Sequence, residues 1–174
     1  CVAASNGTTA LHLALVALGI RPGDEVLVST LTNMASFFSV IYQGATPVPI
    51  DCEPGTWNLD PALLEEKITP KTKAIMVVHL FGHPVDMDPV MAVAKKHGLF
   101  VIEDCAEAHG ATYRGRKVGS IGDVGCFSFY ANKIITTGEG GMVTTNDRAL
   151  ADKMKGLRSL AFGDTNKFMH KDIG

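Results

Sequence analysis

Short apolar runs alternate with helix-period segments along most of this chain, and that alternation constrains its fold more than any other feature. Leu11, Leu15 and Leu18 share one face of a helix expected over 9–18. Gly19 stops that helix, and Pro22-Gly23-Asp24 makes a turn. A strand is expected over 25–29, a helix over 34–42 ended by Gly44, and a strand over 46–50 with Asp51 at its end. Pro61 suits the first turn of a helix over 61–67. A strand over 73–79, a helix over 86–97 capped by Gly98, and a strand over 99–103 that reaches Asp104 come next. Residues 111–118 then read as a small hairpin turning at Gly115, with strands over 125–129 and 141–145 and an amphipathic helix over 147–157. Helices placed between short apolar strands imply an α/β fold: a mostly parallel central sheet with helices on both faces. Ligands of such sheets sit beyond the carboxyl ends of the strands, where Asp104 and the residues after Phe129 fall.

Composition narrows the function. A formal charge of −2 over 174 residues is too small to draw the chain to nucleic acid or to a membrane surface. No apolar run is long enough to span a bilayer, and no signal peptide is expected. The four cysteines, Cys1, Cys52, Cys105 and Cys126, form no C-x-x-C pair. Their spacing fits neither a zinc site nor a small disulfide scaffold, so they read as buried free thiols in a reducing cytoplasm. The chain opens on Cys1-Val-Ala-Ala without a methionine and ends on Asp172-Ile-Gly174 without a closing element, so both ends are expected to be cut.

Three features suit one cofactor. Gly7 and Thr8 open a helix, where free backbone amides and the helix dipole favour a phosphate; taken alone, such a turn is also an ordinary helix cap. Asp104 follows an apolar strand, where a carboxylate can hold a protonated pyridine nitrogen or simply cap a helix or form a salt bridge. Lys133 follows a second strand; burial beside a positive ring favours the neutral amine that attacks an aldehyde, whereas most lysines are merely solvated. Their order along the chain points to pyridoxal phosphate, which needs a phosphate seat, a carboxylate for its ring nitrogen and an amine for its aldehyde. Ala106 is small enough for a flat ring to lie against the backbone, and Glu107 is placed to reach the ring's phenolic oxygen. Ser128 points away from Phe127 and Phe129 in a strand, toward phosphate or into the core. The glycine-rich stretch 136–141 lacks Gly-Lys-Ser/Thr, and no G-x-G-x-x-G follows the first strand, which disfavours P-loop and dinucleotide sites. His79 and His83 fall on a strand end and a loop, so they read as structural or pocket-lining rather than as a metal pair.

Longer motifs carry a resemblance: Ser5-Asn-Gly-Thr-Thr-Ala-Leu11, Gly44-Ala-Thr-Pro-Val48, Glu103-Asp-Cys-Ala-Glu-Ala-His-Gly-Ala111, Gly119-Ser-Ile-Gly-Asp123 and the segment 127–141. Through them the chain resembles the DegT/DnrJ/EryC1/StrS sugar-nucleotide aminotransferases, and within that family a GDP-perosamine synthase-like branch. The resemblance implies the large, cofactor-binding domain of a fold-type-I pyridoxal-phosphate transferase over 1–174, with the N-terminal segment and small C-terminal domain missing. It implies that Lys133 bonds the cofactor and shuttles protons, that Asp104 holds the pyridine nitrogen, and that Ala106 packs beneath the ring. Gly7, Thr8 and Ser128 would bind the phosphate and Glu107 would approach the ring hydroxyl. Asn33 stands where relatives carry an aromatic residue that stacks on the cofactor. A cytoplasmic homodimer with a shared active site is implied, one subunit lending the other an asparagine from beyond Gly174; the chain alone is then expected to bind cofactor poorly. The implied reaction moves an amine from an amino acid, with L-glutamate the expected donor, to a keto-sugar nucleotide such as GDP-4-keto-6-deoxy-mannose, for polysaccharides such as O-antigen. Two alternatives stay open: a dehydratase of the same family, in which histidine replaces the lysine, and a cofactor-binding regulatory protein without turnover.

Overall fold

A computed structural model describes residues 1–161 of the chain; the expectation about its end at Asp172-Ile-Gly174 lies outside the described residues. In chain order the elements are β1 (Val2–Ala4), α1 (Gly7–Ala17), β2 (Glu25–Ser29), α2 (Met34–Tyr42), β3 (Thr46–Ile50), α3 (Leu64–Lys67), β4 (Thr72–Val78), α4 (Met87–His97), β5 (Phe100–Asp104), β6 (Thr112–Tyr113), β7 (Arg116–Lys117), β8 (Val124–Ser128), β9 (Gly141–Thr144) and α5 (Arg148–Arg158). Seven strands make one sheet in the order β1-β9-β8-β5-β4-β2-β3, and β6 pairs with β7 in a separate hairpin. The pairs from β3 through β8 are all parallel, and β9 then runs antiparallel to both β8 and β1. The expected α/β architecture is therefore present.

Strand alternation sorts the core onto two faces. Val26, Val28, Met76, Ile102 and Cys126 pack toward α1, α2 and α5. Leu27, Ile75, Val77 and Val101 pack on the opposite face with Leu64 of α3 and Val90 of α4. Full burial of such a side chain stabilises the fold by about 1.5–3 kcal/mol, so both layers are substantial.

Three local differences from the sequence reading have clear causes. The first helix begins at Gly7 rather than Thr9, because Asn6 and Thr9 exchange side-chain and backbone hydrogen bonds in a capping box. Residues 61–67 are split: a 3-10 turn over Pro61–Leu63, capped by Asp60, precedes the single turn of α3. Residues 2–4 form an edge strand on β9, three residues being too few to show a period. Cys105 and Cys126 are buried free thiols, and burial pushes both well above the ordinary thiol range. Cys1 is exposed and Cys52 half-buried, so the expectation of burial fails for the first and holds only partly for the second. No helix among the described residues is long and apolar enough to cross a membrane.

Candidate active site

The carboxyl ends of β5 and β8 and the amino ends of α1 and α2 enclose a cavity of about 320 Å³. Gly7, Thr8, Asn33, Asp104, Ala106, Ser128 and Lys133 all line it. The structure thus gathers residues from five separate stretches of sequence. Glu107 is not among the lining residues; its Oε1 is 3.9 Å from Lys133 Nζ and its Oε2 accepts from the Phe81 amide at 3.1 Å.

Helix α1 opens onto the cavity. Thr9 N–H is taken by Asn6 Oδ1 at 2.9 Å, and Ala10 N–H by Asn6 O at 3.0 Å. The amides of Gly7 and Thr8 are left for the cavity, at the positive end of the helix dipole. The close approach of α1 to the sheet requires glycine. A Cβ on Gly7 would stand 2.7 Å from Ser128 Cβ, and one on Gly141 would stand 2.2 Å from Asn6 O. The Ser128 hydroxyl is thereby held against the start of α1.

Lys133 lies on the loop between β8 and β9. That loop is closed by Phe129 N–H to Gly140 O at 2.9 Å and Thr137 N–H to Phe129 O at 3.0 Å, and Lys133 N–H bonds Tyr130 O at 2.9 Å. The lysine side chain is 15% exposed, so its amine faces the cavity rather than bulk water.

Asp104 is the last residue of β5 and is buried. Its Oδ1 accepts from Ala106 N–H at 3.1 Å, and its Oδ2 from the Ser36 hydroxyl at 2.9 Å. Burial pushes this carboxyl above the usual range, against the Ala106 and Ser36 donors and the nearby Lys133 charge. Asn33 does line the cavity, but its Oδ1 accepts Ala35 N–H at 3.0 Å as the cap of α2. Its acceptor is spent on the helix rather than on a ligand.

The preceding residue, Glu103, points away from the cavity. Oε1 accepts the amides of Ile121 at 2.8 Å and Gly122 at 2.7 Å; Oε2 accepts the Gly119 amide at 2.8 Å and His79 Nε2 at 3.1 Å. His79 Nδ1 accepts Val85 N–H at 3.1 Å, so the ring proton lies on Nε2 and is donated to Glu103. Burial alone would raise Glu103; the His79 bond and the Gly122 and Gly119 amides outweigh it and hold the carboxyl below its ordinary range. His79 has both ring nitrogens in these hydrogen bonds and is structural, one of the two roles the sequence suggests. Sequence reasoning passes over several polar residues here: Asn6, Tyr130, Asn132 and Glu139 line the cavity, and Thr32 and Ser36 lie behind Asp104, where a hydroxyl in an apolar helix carries no motif and Ser36 meets Asp104 across 68 positions.

Comparison with known proteins identifies the family and the fold. The chain is 61% identical over 173 residues to the GDP-perosamine synthase of Caulobacter vibrioides, a match that covers 99% of this chain and 47% of that protein. It superposes on the aminotransferase from Psychrobacter cryohalolentis with a TM-score of 0.95 at 48% identity, over 99% of this chain and 47% of that one. It superposes on NtdA from Bacillus subtilis, solved with bound cofactor PMP, with a TM-score of 0.90 at 34% identity, over 99% of this chain and 39% of that one. The chain spans about half the length of the curated relatives it matches. The DegT/DnrJ/EryC1/StrS aminotransferase family matches residues 1–174 throughout, and the chain belongs to that family.

Proposed function

We propose that this chain is the cofactor-binding part of an aminotransferase that moves an amino group from L-glutamate to a keto-sugar nucleotide, with GDP-4-keto-6-deoxy-mannose the favoured acceptor. The observation that carries the reading is one cavity that holds the Asp104 carboxylate, the Lys133 amine and the open end of α1. The donor set fits pyridoxal phosphate. The cradle between Gly7 and Ser128, which a single Cβ would fill, offers two amides and a hydroxyl to a phosphate. When bound, pyridoxal phosphate supplies an electron sink for the carbon that carries the amine.

The remaining work falls to the chain's own side chains. Gly7, Thr8 and Ser128 bind the phosphate. Asp104 holds the ring nitrogen in its charged form, since an opposite charge at a buried carboxylate offsets its desolvation. Ala106 would leave room for a flat ring against the backbone, and Asn33 lines the same cavity from the start of α2. Lys133 Nζ would hold the cofactor at its aldehyde carbon, with loss of water, and, once the incoming amine displaces it, would take a proton from the amine-bearing carbon and return it to the cofactor's carbon as base and then acid. Glu107, 3.9 Å from Lys133 Nζ, would help to hold that side chain in place and would approach the ring hydroxyl.

The acceptor class is supported by the similarity to a GDP-perosamine synthase. A cytoplasmic homodimer with a shared site, serving polysaccharide synthesis, completes the reading. The dehydratase alternative requires histidine in place of Lys133, and a purely regulatory binder has no use for a proton-moving amine.

The test uses the whole protein that contains this chain. Pyridoxal phosphate is added, the mixture is reduced with borohydride, and the labelled peptide is mapped by mass spectrometry. A label on Lys133, followed by aminated sugar nucleotide from glutamate and a GDP-linked keto-sugar, is the expected result. A folded protein with no label there overturns the reading. A label with deoxygenation of the sugar and no amine transfer restores the dehydratase.

A further inference from the structure

Ser36 is fully buried in the first turn of α2, with its hydroxyl 2.9 Å from Asp104 Oδ2 and 2.7 Å from Thr32 Oγ1. A hydroxyl has one hydrogen, and an ionised carboxylate only accepts. Ser36 therefore gives its hydrogen to Asp104, and Thr32 gives its own to Ser36. The neighbouring Ser39 hydroxyl is committed to Ser36 O at 2.9 Å and does not compete. With Ala106 N–H on Oδ1, both oxygens of Asp104 have a fixed donor, which orients the carboxylate group and the lone pairs it still offers to the cavity. The positive end of α2 lies on the same side.

We infer that Ser36, backed by Thr32, is the positioning residue that keeps Asp104 ionised and aimed at the ring nitrogen of the cofactor. This rests on the aminotransferase reading, which supplies that ring nitrogen as the partner.

The physical reason is the balance at a buried carboxylate. Burial favours the neutral acid, and donors to the charged form oppose it. The groups that face Asp104 from surrounding elements are Lys133 on the loop after β8, His79 at the end of β4, and the thiols of Cys105 and Cys126; Glu103 precedes it on its own strand. Both thiols stay protonated, the His79 ring proton is turned to Glu103, and Glu103 is saturated by its own donors. Lys133 is then the cation acting on Asp104, and it is the group expected to become attached to the cofactor. In the loaded site the hydroxyl relay and the Ala106 amide are then the chain's own donors that hold Asp104 toward the ring nitrogen.

The experiment measures cofactor affinity against pH on the full-length protein, by equilibrium dialysis and by absorbance of the bound cofactor, for the parent and for Ser36→Ala, Ser36→Thr and Thr32→Val. Loss of a hydrogen bond to a charged group weakens binding by about ten- to a hundredfold in Ser36→Ala. The affinity should also start to fall at a higher pH than in the parent, because Asp104 takes up its proton more readily. Thr32→Val, at a partly exposed position, should shift both quantities the same way by a smaller, severalfold amount, and Ser36→Thr should restore the parent's pH midpoint. A structural lesion alone would lower affinity without moving the midpoint. Parent-like affinity and midpoint in both Ser36→Ala and Thr32→Val, with Lys133 of the parent labelled by borohydride, overturn the role of Ser36 alone. An unlabelled parent overturns the aminotransferase reading and this inference with it.

Discussion

Glu103 and Asp104 are adjacent on β5, both buried, and surrounded in opposite ways. Glu103 has three backbone amides and an imidazole, one partner for nearly every lone pair it can offer. The result is a carboxyl held below its ordinary range. Asp104 has one amide and one hydroxyl, faces a cavity, and is pushed up by burial. Strand alternation alone assigns them to different faces. What separates a structural carboxylate from a functional one here is completeness. The fold satisfies Glu103 with its own groups and leaves Asp104 short of one cationic partner.

The sharpest way to break this contrast is to truncate each carboxylate. Glu103→Ala strands the amides of Gly119, Ile121 and Gly122 and the His79 N–H in the core. It should cost about 3–5 kcal/mol, read as a fall in the urea unfolding midpoint of the full-length protein. A loss under about 1 kcal/mol would show that water replaces the carboxylate and that the network is not structural. Asp104→Asn should do the reverse: change unfolding stability by less than about 1 kcal/mol, yet slow amine transfer by about a hundredfold or more, because the charge at the ring nitrogen is gone. Unchanged turnover in Asp104→Asn would remove Asp104 from the chemistry.

Acid titration sharpens the same contrast. Glu103 has a depressed folded pKa, so its stabilisation is present above the unfolded carboxyl's pKa and is lost as pH falls through the lower folded value. Asp104 has a raised folded pKa, so its contribution is full below the unfolded value and is lost as pH rises through the folded one. In the cofactor-free protein, acidification should first relieve Asp104 and only at lower pH undermine Glu103. Asp104→Asn should flatten the first change and Glu103→Gln the second, in stability measured across the acid range. Two variants with superimposable stability–pH curves would mean that neither carboxyl is shifted.

How much of this was legible in the sequence follows the same line. The parallel strands were readable because each apolar run is bounded by a turn, Asp104 and Gly7 because each falls at an element's end, and Lys133 because it follows them in order on the loop after a further strand. The edge strand Val2–Ala4 was not readable, since pairing with β9 rather than periodicity defines it. The short helix region at 61–67 was readable in place but not in type, because the Asp60 cap and Pro61 favour a tight first turn before α3. Ser36 was invisible for a different reason. Its significance lies wholly in a contact formed when α2 packs beside β5, and no local pattern encodes that. Glu107 is expected from the sequence to reach the ring's phenolic oxygen, but its bond to the Phe81 amide comes from a turn in which Phe81 takes the left-handed conformation at φ 50°, which no local pattern shows.

Asn33 lies between the two extremes, since it borders the cavity while its side chain serves the backbone. Asn33→Ala should cost about 1 kcal/mol of stability through the lost cap of α2, whereas Asn33→Asp keeps the cap and should hold parent stability. Asn33→Phe separates the two roles. It loses the cap at the same cost but places a ring where the resemblance implies stacking on the cofactor. Slightly lower thermal stability with severalfold tighter cofactor binding is the expected outcome, measured by unfolding and by equilibrium dialysis on one preparation. If Asn33→Phe binds the cofactor no better than Asn33→Ala, the cavity wall formed by α2 does not face the ring. Asn33 then belongs with Glu103, as a residue that the fold has already satisfied.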